Sequence, residues 1–199
     1  MDPAQLLPVP SRATRVASEV SSRYQTVSLF EHCSRAYLWA ASLGDRRGLE
    51  FDRELLYVAA MLHDLGLSPA FDNVTNAFEI AGGDLAWVFA AASGWPTQRR
   101  DHAQAIIVSH MWDEAPSPAE DPESYLLHLA TGFDIAGRNP GLWPAETREA
   151  VLRMHPRHQL AEEFTGLFAD QAGRKPGCAA AASIQAGLAD RIAANPLDS

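Results

Sequence analysis

Apolar residues recur at spacings of three and four along nearly the whole chain, and no stretch keeps the period of two that a half-buried strand requires. The pattern predicts an all-α fold, and the absence of an internal repeat predicts a single domain over residues 11–199. Ahead of it, residues 1–10 hold three prolines and read as a flexible, extended segment. Ser11 is placed to cap a first helix to about Arg23. Ser28-Leu29-Phe30-Glu31 fits a capping box that opens a second helix through Leu43, stopped by Gly44. A third helix runs from about Phe51 to Leu65, with Gly66 in the left-handed stop position and Pro69 soon after. Further helices are expected at 76–92, 101–112 and 121–135, the last with Asp121 as N-cap and Pro122 in its first position. Beyond Pro144 a short helix to Met154 precedes longer ones at 158–172 and 178–194.

The third helix carries the most telling pattern. Beyond Glu54 it is apolar on every face, which marks it as buried, yet it ends in His63-Asp64. A carboxylate withdrawn from water is costly unless it is paired, hydrogen-bonded or bound to a metal. Two residues on other predicted helices answer that need: His32, near the start of the second, and Asp134, near the end of the helix at 121–135. Two imidazoles and two carboxylates suit zinc, iron or manganese and leave positions open for water or substrate. Adjacent helical residues diverge by about 100°, so His63 and Asp64 can share one ion only across the helix edge. His128 lies six residues before Asp134, turned about 120° from it, and falls outside such a shell.

Composition narrows the partners. The formal net charge is −9 and no basic run exceeds a pair such as Arg46-Arg47, which argues against tracking a nucleic-acid backbone. No apolar run approaches the roughly 18–20 residues of a membrane span, and residues 1–10 lack the basic start and apolar core of a secretory leader. The expectation is a soluble cytoplasmic protein acting on a small molecule. Cys33 and Cys178 read as free thiols, Cys33 as buried filler beside His32. Five tryptophans near loops leave room for an apolar patch and a homo-oligomer.

The order His32, His63-Asp64, Asp134 on successive helices resembles the HD superfamily of metal-dependent hydrolases, all-α proteins named for that dyad. Three segments, Leu29-Phe30-Glu31-His32-Cys33-Ser34-Arg35-Ala36-Tyr37, Ala60-Met61-Leu62-His63-Asp64-Leu65-Gly66 and Asn76-Ala77-Phe78-Glu79-Ile80-Ala81-Gly82, are similar to its cyanamide hydratase branch. So is Lys175-Pro176 after a Phe-bearing amphipathic helix. The resemblance implies an HD-domain helical fold in which His32, His63, Asp64 and Asp134 hold one divalent metal ion, zinc first, with iron or manganese as alternatives. It implies hydration of cyanamide to urea, where the developing negative nitrogen needs a proton donor. His110, on the apolar stripe with Ile106 and Ile107, is the first candidate and Glu79 the second; a core histidine and a solvated carboxylate are their plainer readings. His102, His155 and His158 are expected at the surface.

Two other readings remain open. Phosphohydrolase members of the superfamily often carry a charged residue two or three positions after the dyad, where this chain has Leu65-Gly66-Leu67. A metal-stabilised helical binding domain without turnover fits the same ligands.

Overall fold

Ser11 and Thr14 close a reciprocal capping box that starts α1 (Arg12–Tyr24). In the computed structural model, which describes residues 2–198, α2 spans Val27–Arg47 and opens earlier than its Ser-x-x-Glu signature predicts. Thr26 supplies the cap by accepting from the Leu29 amide at 3.3 Å, and Ser28 falls inside the first turn. Gly44 does not stop the helix. A Cβ there would run into the Phe51 ring and lie 3.1 Å from Leu126, so its lack of a side chain permits close packing, and Gly48, at φ 65°, ends the helix one turn later.

Asp52 caps α3 (Arg53–Leu62), which is buried on nearly every face as its sequence predicts. His63 continues the right-handed backbone, Asp64 departs from it at φ −99° and ψ 9°, and Leu65–Leu67 forms a 3-10 turn. Gly66 is therefore not the left-handed stop expected of it. It lies in that turn, where a Cβ would collide with the Phe78 carbonyl and sit 3.1 Å from the Gly82 amide. Its function is close approach to α4 (Phe78–Ala92).

α4 pairs with α5 (Thr97–Ser109), which starts four residues before the expected Asp101. Asp121 caps α6 (Pro122–Ala136) by accepting from the Ser124 amide at 3.0 Å, and Gly137, at φ 63°, closes it. α7 (Ala145–Met154) and α8 (Leu160–Arg174) follow. The helix expected over 178–194 is two: α9 (Ala179–Gln185) and α10 (Leu188–Ala193), broken by Gly187 at φ 79°. No strand occurs among the described residues, so the fold is all-α.

The main core joins α2, α3, α5 and α6, with Trp39, Phe133 and Trp143 in mutual contact and the Phe133 and Trp143 rings stacked at 4.2 Å. A second apolar cluster is built from α8 and the C-terminal helices against Leu29, Leu67, Phe78 and Ile135. In place of an extended N-terminal tail, Pro3–Leu6 forms a 3-10 turn, and the buried Leu6 offers its carbonyl to the Tyr37 hydroxyl at 2.6 Å. No helix among the described residues is long and apolar enough to cross a membrane.

Candidate metal centre

α2 and the end of α3 bring three ligand atoms to one point. His32 Nε2 lies 3.2 Å from His63 Nε2 and 3.4 Å from Asp64 Oδ2, and His63 Nε2 lies 3.3 Å from the same oxygen. All three side chains are withdrawn from solvent. The tautomers follow from what lies behind each ring. His63 Nδ1 contacts the Ala60 carbonyl at 2.7 Å, and His32 Nδ1 contacts Asp134 Oδ2 at 2.7 Å. Each partner is an acceptor, so both Nδ1 atoms carry the proton and both Nε2 lone pairs face the cluster.

Two lone pairs and a carboxylate oxygen thus converge, while both Asp64 oxygens are buried without a hydrogen-bond partner. Such a set repels itself unless a cation sits among its members. A proton meets part of the need. Burial opposes charge on both groups, yet Asp64 draws His63 well above the usual imidazole value, and His63 holds Asp64 down at about 2. A divalent cation would fit the same donors better, because it engages all three at once. Two nitrogens and one oxygen, with a coordination position left for water or substrate, match the ligand pattern of catalytic zinc and also suit iron or manganese.

Asp134 departs from the expected four-ligand set. Its Oδ1 accepts from Arg35 Nε at 2.9 Å and Trp39 Nε1 at 2.8 Å; its Oδ2 accepts from Arg35 Nη2 at 2.9 Å and from His32. Burial alone would raise this carboxyl, but the Arg35 guanidinium and His32 hold it well below the ordinary range. With its lone pairs engaged, Asp134 stands behind His32 and fixes the ring's tautomer and direction. The reason is the phase of α6. His128, Thr131, Gly132 and Ile135, spaced by three and four, face the cavity beside the cluster, whereas Asp134 projects from another side.

That cavity holds about 120 Å³ and is lined by His32, His63, Asp64 and His110 on one side and by Ile135, Phe164, Phe168 and Leu188 on another. His110 therefore reaches the site, and its ring centroid is 5.0 Å from that of His63. In its resting tautomer it presents an acceptor to the cavity, so any proton that it gives must first be taken up there. Nδ1–H is donated to the Ile107 carbonyl, so Nε2 is left as an acceptor, and burial together with the neighbouring His63 lowers its pKa to about 3. His128 also lines the cavity, with Nδ1 unpartnered and burial lowering its pKa.

Glu79 is placed elsewhere. It is buried but absent from the cavity wall, and burial raises its pKa against the pull of Lys175. Of the remaining histidines, His158 is exposed, while His102 and His155 are only partly so, pairing with Asp121 at 3.0 Å and Glu31 at 2.5 Å. The sequence reading missed Arg35, although an arginine one turn after His32, within an otherwise small and apolar stretch of helix, was a usable signal. It also missed Thr131, which lines the cavity and donates its hydroxyl to the Leu127 carbonyl at 3.1 Å.

Comparison with known proteins agrees with this architecture. Two proteins of Saccharomyces cerevisiae, cyanamide hydratase DDI2 and cyanamide hydratase DDI3, are each 26% identical to the chain over 183 residues, covering 87% of it and 79% of their own length. The HD domain model matches residues 29–195, a span that takes in the whole His32, His63-Asp64 cluster and all of the second apolar cluster. HD domains bind divalent metals and are mainly metal-dependent hydrolases. By that match over most of its length, the chain belongs to the HD domain family.

Proposed function

We propose that this chain is a metal-dependent hydratase that adds water across the carbon–nitrogen triple bond of a small neutral nitrile, turning cyanamide into urea. The observation that carries the reading is the convergence of two Nε2 lone pairs and an unpartnered carboxylate on one wall of a cavity that also has an apolar wall of Ile135, Phe164, Phe168 and Leu188. The similarity to the two yeast cyanamide hydratases supports it. A divalent cation held by His32, His63 and Asp64, zinc before iron or manganese, would lower the pKa of a water toward neutrality and polarise the nitrile as a Lewis acid.

The chain's own residues supply the rest. His110 offers Nε2 as an acceptor at the cavity, so it can orient the attacking water, take its proton and pass one to the nitrile nitrogen. Asp134 and Arg35 hold His32 in its working tautomer. Phosphate chemistry would want several positive groups near the transferred oxygens, and among the described residues Arg138 is the one lysine or arginine on the cavity wall. Glu79, buried off the cavity, has no direct part in this scheme.

Purified protein loaded with zinc, iron or manganese and given cyanamide should release urea, and Asp64→Asn should not. No hydration of any nitrile by metal-replete protein, with turnover of a phosphate ester instead, would sink the reading.

A further inference from the structure

We propose that the preferred substrate carries a short apolar substituent on the far side of the reacting nitrile, so that an N-alkylated cyanamide is taken in preference to cyanamide. This rests on the hydratase reading and names its substrate class.

The size of the cavity is the first observation. A water takes up roughly 30 Å³ in the liquid, so about 120 Å³ is room for about four waters. Cyanamide is a linear molecule of a few atoms, and together with the attacking water it leaves part of that space unfilled.

The second observation is what surrounds the remainder. The Phe164 ring centroid lies 5.9 Å from that of His32, and Phe168 stacks on Phe164 at 4.4 Å. Ile135 and Leu188 complete this wall, and all four side chains are buried. None of them offers a hydrogen-bond donor or acceptor. An unsubstituted amino group pressed against it would lose hydrogen bonds to water without replacement, whereas methyl groups would gain contact.

Charge at the rim does not favour an ion. Asp113 and Arg138 both line the cavity, both are exposed, and their charges oppose one another.

The chemistry is unchanged by the substituent. The water oxygen bonds to the nitrile carbon, one carbon–nitrogen π pair moves to nitrogen, a proton lost by the water arrives there, and tautomerisation gives the N-substituted urea. Water is the sole co-reactant.

The test compares cyanamide, N,N-dimethylcyanamide and cyanoacetate with the metal-loaded full chain. One methylene in an apolar pocket is worth about 10-fold or more in specificity, so kcat/KM for N,N-dimethylcyanamide should exceed that for cyanamide by at least that factor. Leu188→Ala should cut the ratio of the two several-fold. A higher kcat/KM for cyanamide, an unchanged ratio in Leu188→Ala, or a preference for cyanoacetate would each overturn the proposal.

Calorimetric binding of N,N-dimethylurea and urea to the same protein separates this inference from the hydratase reading. About 10-fold tighter binding of the dimethyl compound supports the apolar subsite even if no nitrile turns over. Equal affinities overturn it even if cyanamide is hydrated.

Discussion

Asp134 separates two kinds of carboxylate at this centre by what each would cost to lose. Asp64→Asn removes one of the three converging donors and should abolish cation binding. Asp134→Asn leaves the three converging atoms in place but unpins His32, so affinity should fall about 10–100-fold rather than vanish, read by metal titration with a competing chelator. Asp134→Asn should also destabilise the fold by about 3–5 kcal/mol, because it leaves the fully buried Arg35 guanidinium without its carboxylate. His110 sets a pH dependence whose sign is fixed by its lowered value. With the native group near 3 and the unfolded one near 6.5, the unfolded chain binds the extra proton between them, so this contribution is complete above about 6.5 and is lost as pH falls toward 3. Urea denaturation across that window should show a shallower fall for His110→Asn than for the native chain. His32 and the dyad were legible in the sequence because residue type and helix order alone single them out. The role of Asp134 was not: sequence gives the angle between two residues on α6 but not which angle faces the centre, and only Arg35 and Trp39, brought from α2, settle it.

Within the elements, two glycines should respond in different ways to the same methyl group. Gly48 ends α2 in the left-handed region with open space around its Cβ direction, so Gly48→Ala should cost about 1–2 kcal/mol and leave the site unchanged. At Gly66 the added carbon meets backbone, the Phe78 carbonyl, which cannot rotate away as a side-chain tip can. Gly66→Ala should therefore push the start of α4 from the dyad, lowering both thermal stability and cation affinity, and a variant that melts and binds like the native chain would contradict this placement. The starts of α1 and α6 were readable from local chemistry, since Ser11 and Asp121 bond within their own first turns. The stop of α2 was not, because Gly44 is explained by Phe51 and Leu126, residues that meet it only after folding.

At the scale of the molecule, the last turn of chain reaches the back of the centre. Asn195 donates to the carbonyls of Asp134 and Ile135 at 2.9 and 3.0 Å, and Arg157 bonds both the Asp134 carbonyl and the Asp198 carboxylate. Asn195→Ala leaves buried carbonyls short of a partner and should lower stability by about 1–3 kcal/mol, visible as a reduced Tm, although the residue touches neither cation nor substrate. The apolar cavity wall likewise comes largely from the C-terminal helices, whereas the converging ligands come from α2 and the end of α3. This division gives the centre an order of assembly. His32 and His63 are 31 residues apart on helices that pack together, while the carboxylate that pins His32 is 102 residues from it. Close partners meet sooner than distant ones during folding. Because α2 and the end of α3 carry all three converging donors, excess metal during refolding should accelerate an early phase that still lacks the orienting contact, leaving the final ring alignment to a later step that metal does not hasten.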